Sequence, residues 1–145
     1  MHDILMQQIK GEVSRLGVTE LRTPEEVDTL LAAHKGTALL FVNSVCGCAG
    51  GIARPALAHA LTHQVRPDVV ATVFASGDRE ATMRARSYFA QMPPSSPSFA
   101  FLRDGKLVAM IHRSDIETRD AAGVASLLTT LFDAECAPEK AATTR

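Results

Sequence analysis

The sequence predicts an α/β domain built on a four-stranded mixed sheet, with helices on both faces and an additional helix ahead of it. Three observations carry that prediction. Two short apolar runs, 37–42 and 69–74, contain no Gly or Pro and read as strands buried on both faces. Helical periodicity lies between and after them, so their connections cross over and make them parallel. Further on, Asp104-Gly105 separates two more apolar runs, 98–103 and 107–112, which is the signature of a tight hairpin with antiparallel arms.

In chain order, Leu5, Ile9, Val13 and Leu16 recur at helical spacing and predict a first helix closed near Gly17. Thr23-Pro24-Glu25-Glu26 is a helix start: Thr23 can cap, Pro24 suits the first helical position, and Glu26 completes a capping box. Val27, Leu30 and Leu31 form the buried stripe of that helix, and Gly36 closes it. A helix over 50–64 should turn Ile52, Leu57 and Leu61 inward, with Pro55 in or near its first turn. Asp78 should cap another over 78–91, which carries Met83, Tyr88 and Phe89. Pro93-Pro94-Ser95-Ser96-Pro97 then breaks the chain, because neither a helix nor a central strand absorbs it. The last helix spans 119–135, with Val124, Leu127, Leu128, Leu131 and Phe132 on one face. No internal repeat or linker appears, so 1–145 reads as one domain, with 1–22 a helical extension and 137–145 a disordered tail.

A chain of 145 residues can bury roughly two-thirds of its unfolded surface without disulfide help. Net charge is −1 with no basic tract, which argues against nucleic acid and anionic membranes as partners. The first residues lack the basic segment and apolar core of a signal peptide, and no apolar run approaches the ~20 residues that cross a bilayer. The expectation is a cytoplasmic protein. Its three cysteines, an odd number, fit reactive thiols better than a secreted disulfide framework.

Two of those cysteines define the centre of the chain. The apolar run ending at Val42 leads through Asn43, Ser44 and Val45 into Cys46-Gly47-Cys48 and then into a helix. A helix N-terminus offers unpaired N–H groups and partial positive charge, and both stabilise a thiolate. Cys46, ahead of the helix, is the candidate nucleophile, and Cys48, inside the first turn, is expected to be more covered. Arg54 is the only cation close by in sequence. Disulfide geometry needs Cα atoms about 4.4–6.8 Å apart, which an i, i+2 pair reaches only in a turned backbone. Gly47 supplies freedom for that turn, and the small ring should make an oxidising pair.

The whole arrangement resembles the thioredoxin-like fold. In that fold a cis-proline opens the strand before the last hairpin and faces the thiols. Pro97, eight positions before Gly105, matches the position. The resemblance makes Ser96 the residue that presents backbone to a bound disulfide. The string Val42-Asn43-Ser44-Val45-Cys46-Gly47-Cys48-Ala49, with Gly51, Ala53, Arg54 and Pro55, is similar to the bacilliredoxin family, as are Pro94-Ser95-Ser96-Pro97-Ser98 and Phe132-Asp133 before Cys136. The likeness runs from about residue 20 to Cys136. It implies an oxidoreductase, with isomerase-like potential, that removes bacillithiol or a similar low-molecular-weight thiol from client proteins carrying mixed disulfides. Cys46 would attack and Cys48 resolve; Gly47, Ser96 and Pro97 would contact substrate; and no cofactor is implied beyond the thiol co-substrate.

Plainer and rival readings stand beside this one. Cys46 and Cys48 could be small buried hydrophobes, or could hold a soft metal such as copper or zinc as a binding module. A non-catalytic thiol sensor is a third reading. His59 and His63 lie at i, i+4, but a rise of ~1.5 Å per residue keeps them from sharing one zinc with the cysteines, so they read as surface residues. His112 ends a strand, and Cys136 reads as a buried thiol on the last helix. Ser95 and Ser96 lack a nucleophile elbow, and Gly50-Gly51 lacks the rest of a phosphate loop; these glycines are expected to clear space for a client backbone.

Overall fold

In a computed structural model, which describes residues 2–33 and 35–136, every residue of the central strand β2 (Thr37–Asn43) is buried. Around it the chain runs α1 (His2–Ser14), β1 (Thr19–Glu20), α2 (Pro24–Leu31), β2, a π-helical turn (Ala49–Ala53) continuing into α3 (Arg54–Ala60), and β3 (Val69–Phe74). Then follow α4 (Arg79–Arg86) with a short 3-10 turn (Ser87–Phe89), β4 (Ser98–Arg103), β5 (Lys106–Ile111), α5 (Arg113–Glu117) and α6 (Ala121–Cys136). The segment 137–145, expected as a tail, lies outside the described residues.

The sheet is mixed, in the order β1-β3-β2-β4-β5. Strand β2 pairs parallel with β3 and antiparallel with β4, which in turn pairs antiparallel with β5. It has five strands, not the expected four. The extra strand is β1, whose Thr19 and Glu20 pair parallel with Ala71 and Thr72. Two residues are too few to show alternation, so no periodicity announced it; Val18 and Leu21, buried on either side, and a bond from Leu21 N to Thr72 O at 2.8 Å hold it to the edge.

Alternation along β2 divides the core. Leu39 and Phe41 face α3 and α6 with Phe99 and Phe101, and the Phe41 and Phe99 rings stack at 4.7 Å between centroids. Ala38, Leu40 and Val42 face α2 and α4 with Val27, Leu31 and Phe89. The hairpin forms at Asp104-Gly105, both with positive φ (53° and 79°), as a two-residue turn matching strand twist requires. A Cβ on Gly105 would sit 3.0 Å from the Leu31 carbonyl oxygen, so this turn also needs glycine for space.

Helix ends follow local chemistry with informative departures. Thr23 Oγ1 accepts from Glu26 N at 3.1 Å, but the Glu26 carboxylate accepts from Arg22 N at 2.7 Å, one residue before the cap. Helix α2 stops at Leu31, so Gly36 does not close it; Gly36 N instead donates to Asp104 Oδ1 at 2.7 Å. Asp78 precedes α4 without a side-chain cap, because its carboxylate pairs with Lys10 Nζ at 2.8 Å. That α-helix ends at Arg86, short of the expected residue 91, and Met83 on it is exposed. His112, expected at a strand end, opens the unforeseen α5: its carbonyl accepts from Asp115 N at 2.9 Å, and its own N–H donates to Asp115 Oδ2 at 3.0 Å.

Removing the Phe99 ring should cost about 3–5 kcal/mol, because the stacked pair lies at the strand-to-helix contact. Urea denaturation of Phe99→Ala, compared with Val108→Ala on the exposed side of β5, checks this; the second change should cost less than about 0.5 kcal/mol.

Candidate active site

The site begins where β2 runs out of partners. Asn43, the last residue of the strand, is buried, and its Oδ1 accepts from Ser44 N at 2.9 Å and from Arg54 Nη1 at 3.1 Å. The same Nη1 donates to the Ser44 carbonyl at 2.9 Å, and Val45 N donates to Ser76 Oγ at 3.1 Å. The turn between strand and helix is thus held from both sides. Buried polar groups at a strand end must be paired in this way or cost free energy.

Helical structure begins at residue 47, and Gly50 N donates to the Cys46 carbonyl at 3.2 Å. Cys46 therefore occupies the capping position, where a side chain meets the helix's unpaired N–H groups. Partial burial pushes the Cys46 thiol up. The Ser44 hydroxyl, donating to Sγ at 3.2 Å, the backbone N–H groups of Ala49 and Cys48, and the positive charge of Arg113 together outweigh it and hold the thiol below its ordinary range.

Cys46 and Cys48 are free thiols, and both are half-buried. Exposure therefore does not separate them as expected; the donors converging on Cys46 do. Gly47 is exposed, with open space where a Cβ would stand, and its φ is not positive in this state. Gly51 is similarly open, but Gly50 does not clear space for a client. A Cβ there would meet Arg54 Nη2 at 2.8 Å, so the chain's own guanidinium fills the gap.

Opposite the thiols, the Ser96–Pro97 peptide is cis, and the Val42–Ser98 pairing sets it at the same end of the sheet as Cys46. Pro97 is buried and Ser96 half-buried. The Ser95 carbonyl accepts from Ser98 Oγ at 2.9 Å and Arg86 Nη2 at 3.3 Å, while the Ser96 carbonyl accepts from Arg113 Nη1 at 3.4 Å. Cys46, Gly47, Cys48, Ser96 and Pro97 thus share one end of the sheet. Arg113 is a residue that motif reading missed. Its signal was topological: the hairpin carries the chain away and back, so whatever follows β5 arrives beside the thiols.

Cys136 and His63 lie elsewhere. Cys136 is buried, with Sγ 4.0 Å from Oγ1 of Thr37 at the opposite end of β2. His63 Nε2 lies 2.9 Å from Asp133 Oδ1, beside a groove of about 620 Å³ between α3 and α6 that includes none of the residues around Cys46. Among the described residues, no three or more His, Cys, Asp or Glu side chains gather in metal-binding geometry, so a metal at Cys46 and Cys48 would rest on two sulfurs. No helix among the described residues is long and apolar enough to cross a membrane.

Comparison with known proteins places these features in a lineage. The sequence pattern of the family described as disulphide isomerase matches residues 1–136. A bacilliredoxin of Geobacillus kaustophilus is 54% identical over 136 residues, 94% of this chain and 93% of the relative. A bacilliredoxin of Staphylococcus aureus is 51% identical over 132 residues, 91% of this chain and 90% of the relative. Among solved structures, the thioredoxin of Malassezia sympodialis superposes with a TM-score of 0.59 at 14% identity, covering 82% of this chain and 90% of that one. The thioredoxin of Fasciola hepatica gives 0.56 at 20% identity, covering 81% and 99%. At such identities the likeness to thioredoxins is one of fold.

The depressed Cys46 pKa links ionisation to stability. In the unfolded chain the thiol titrates near ~8.5, so the folded state favours the thiolate. Its contribution is full above about pH 8.5 and is lost as pH falls through the folded value. The stability advantage of wild type over Cys46→Ser, measured by urea denaturation, should therefore grow as pH rises through the depressed folded value toward the ordinary thiol range. A difference that stays flat would contradict the assigned donors.

Proposed function

The chain belongs to the bacilliredoxin family of thioredoxin-fold thiol–disulfide oxidoreductases, and from that membership we propose that it removes a low-molecular-weight thiol from client proteins held as mixed disulfides. The observation that carries this reading is the set of donors aimed at Cys46 Sγ: one hydroxyl and two helix N–H groups, with a nearby arginine charge. A thiolate stabilised in this way is available to attack near neutral pH.

In the first step the Cys46 thiolate attacks the sulfur of the small thiol. A Cys46–small thiol disulfide forms, the bond to the client breaks, and the client leaves as a thiolate that takes a proton from water. In the second step the Cys48 thiolate attacks Cys46 Sγ and expels the small thiol, leaving a Cys46–Cys48 disulfide. The mixed disulfide has been reduced by two electrons, giving the client thiol and the free small thiol, and the cysteine pair oxidised by two. Two further thiols restore the pair, and a free thiol can also resolve the first mixed disulfide directly. Gly47, open and exposed, leaves room for the incoming disulfide, and the Ser96-Pro97 backbone lies across from it.

Bacillithiol is the proposed thiol, on the strength of the relatives' name and the shared motif. The same cycle run with a protein thiol would give isomerase activity, as the family description suggests. The proposed setting is the cytoplasm, where cysteines remain free thiols.

The test is single turnover on a model protein carrying a bacillithiol mixed disulfide. Cys46→Ala should slow release by more than about 10³-fold, the scale of losing a nucleophile. Cys48→Ala should release the client yet retain the small thiol on Cys46, visible as added mass. Unchanged release by both variants would overturn the thiol-transfer reading.

A further inference from the structure

Arg54 is enclosed, with only 10% of its side chain exposed, yet it does not touch Cys46 through any bond described above. Two of its guanidinium nitrogens are hydrogen-bonded and the third is packed over Gly50. Nε donates to Glu12 Oε1 of α1 at 2.9 Å, and Nη1 donates to Asn43 Oδ1 and to the Ser44 carbonyl at 3.1 and 2.9 Å. Nη2 lies in the space left by Gly50, where a Cβ would come within 2.8 Å. Ser44 is in turn held by its N–H, its carbonyl and its hydroxyl, the last on Cys46 Sγ at 3.2 Å.

A hydrogen bond to a thiolate holds only while donor and acceptor keep their separation and angle, and a backbone fixed at Ser44 N and O keeps Oγ within reach of Cys46 Sγ. We infer that Arg54 is a positioning residue for the nucleophile: it locks the Asn43–Ser44 turn so that the Ser44 hydroxyl stays directed at Cys46 Sγ, and Gly50 is the seat that lets the guanidinium reach that turn. Glu12 anchors the far side, which makes α1 part of the thiol's support. Lysine, with one point of charge and no planar fork, cannot reproduce these contacts. The inference rests on Cys46 being the attacking thiol, but its readout is Cys46 ionisation and not turnover, so either can fail alone.

Other charged groups stand at this end of the sheet, and one of them, Arg113, acts on the same sulfur. Arg113 reaches it from α5, itself paired with Glu117 at 3.4 Å, and Arg86 of α4 holds the facing Ser95 carbonyl. Arg54 could also act simply by its charge through space. The two routes differ in one respect: action through Ser44 disappears when Ser44 loses its hydroxyl, and a through-space charge does not.

The experiment is the pH–rate profile of iodoacetamide alkylation at Cys46, followed by peptide mass, in wild type, Ser44→Ala, Arg54→Gln, Gly50→Ala and the two doubles with Ser44→Ala. Ser44→Ala and Arg54→Gln should each slow alkylation at neutral pH roughly tenfold, the scale of one charge-assisted hydrogen bond, with the profile moved to higher pH. Gly50→Ala keeps the charge and favours helix, and should shift the profile in the same direction by less. Neither Arg54→Gln nor Gly50→Ala should slow the reaction further once Ser44 is Ala. Equal slowing in both backgrounds would overturn the inference in favour of a through-space charge. No slowing in either would overturn it in favour of a merely structural arginine. Should Arg54→Gln fail to fold, the Gly50→Ala pair decides by the same criterion.

Discussion

A strand buried on both faces and bonded along both edges cannot carry an unpaired polar group until it ends, and this constraint on β2 organises everything near Cys46. Between Ala38 and Val42 only apolar side chains meet the two helical layers. At its end, Asn43 still pairs with β3 but no longer with β4, and Ser44 beyond it remains buried, so side chains must satisfy what the sheet no longer can. Arg54 and the Ser44 N–H do so, while Ser76 accepts from the N–H of Val45 just beyond. The rigidity that results comes from accounting for hydrogen bonds at a buried boundary.

The chemistry at Cys46 is a contest between two consequences of that position. Proximity to the core removes water and disfavours a charged sulfur. The same proximity places the sulfur over the opening of a helix, beside a fixed hydroxyl, and within the field of Arg113, and these win. Cys48, two residues on, shares the half-burial without the same convergence of donors. Asymmetry between two neighbouring thiols thus arises from geometry around one sulfur and not from exposure. It suits a reaction in which one thiol attacks and the other follows.

Much of this was legible in the sequence wherever a signal was local and strong. Strands β2 and β3 announced themselves as uninterrupted apolar runs, the hairpin by Asp104-Gly105, and the start of α2 by Thr23-Pro24. The Cys46-Gly47-Cys48 string pointed to the site, and Pro97 stands at its end of the sheet. What escaped was either too short or too distant. Strand β1 has two residues and α5 five, below the length at which periodicity speaks. Asp78 looked like a cap because capping is a local expectation, but Lys10, far back in the chain, claimed its carboxylate. The direction of Arg54 and the arrival of Arg113 depend on tertiary packing.

The π-helical turn at Ala49–Ala53 has a bearing on how this segment can vary over evolutionary time. In it the Arg54 N–H reaches back five residues to the Ala49 carbonyl, where an ordinary helix would reach four. One extra residue is therefore stored in the winding itself. A deletion here could be absorbed by tightening the turn, but each residue advances an α-helix by about 100°, so everything on one side would swing relative to the other. The thiols and Arg54 lie on opposite sides of that turn. Gaps should accordingly be rare between Cys46 and Pro55 in related chains, even where individual side chains differ, because the spacing carries the alignment of sulfur and guanidinium.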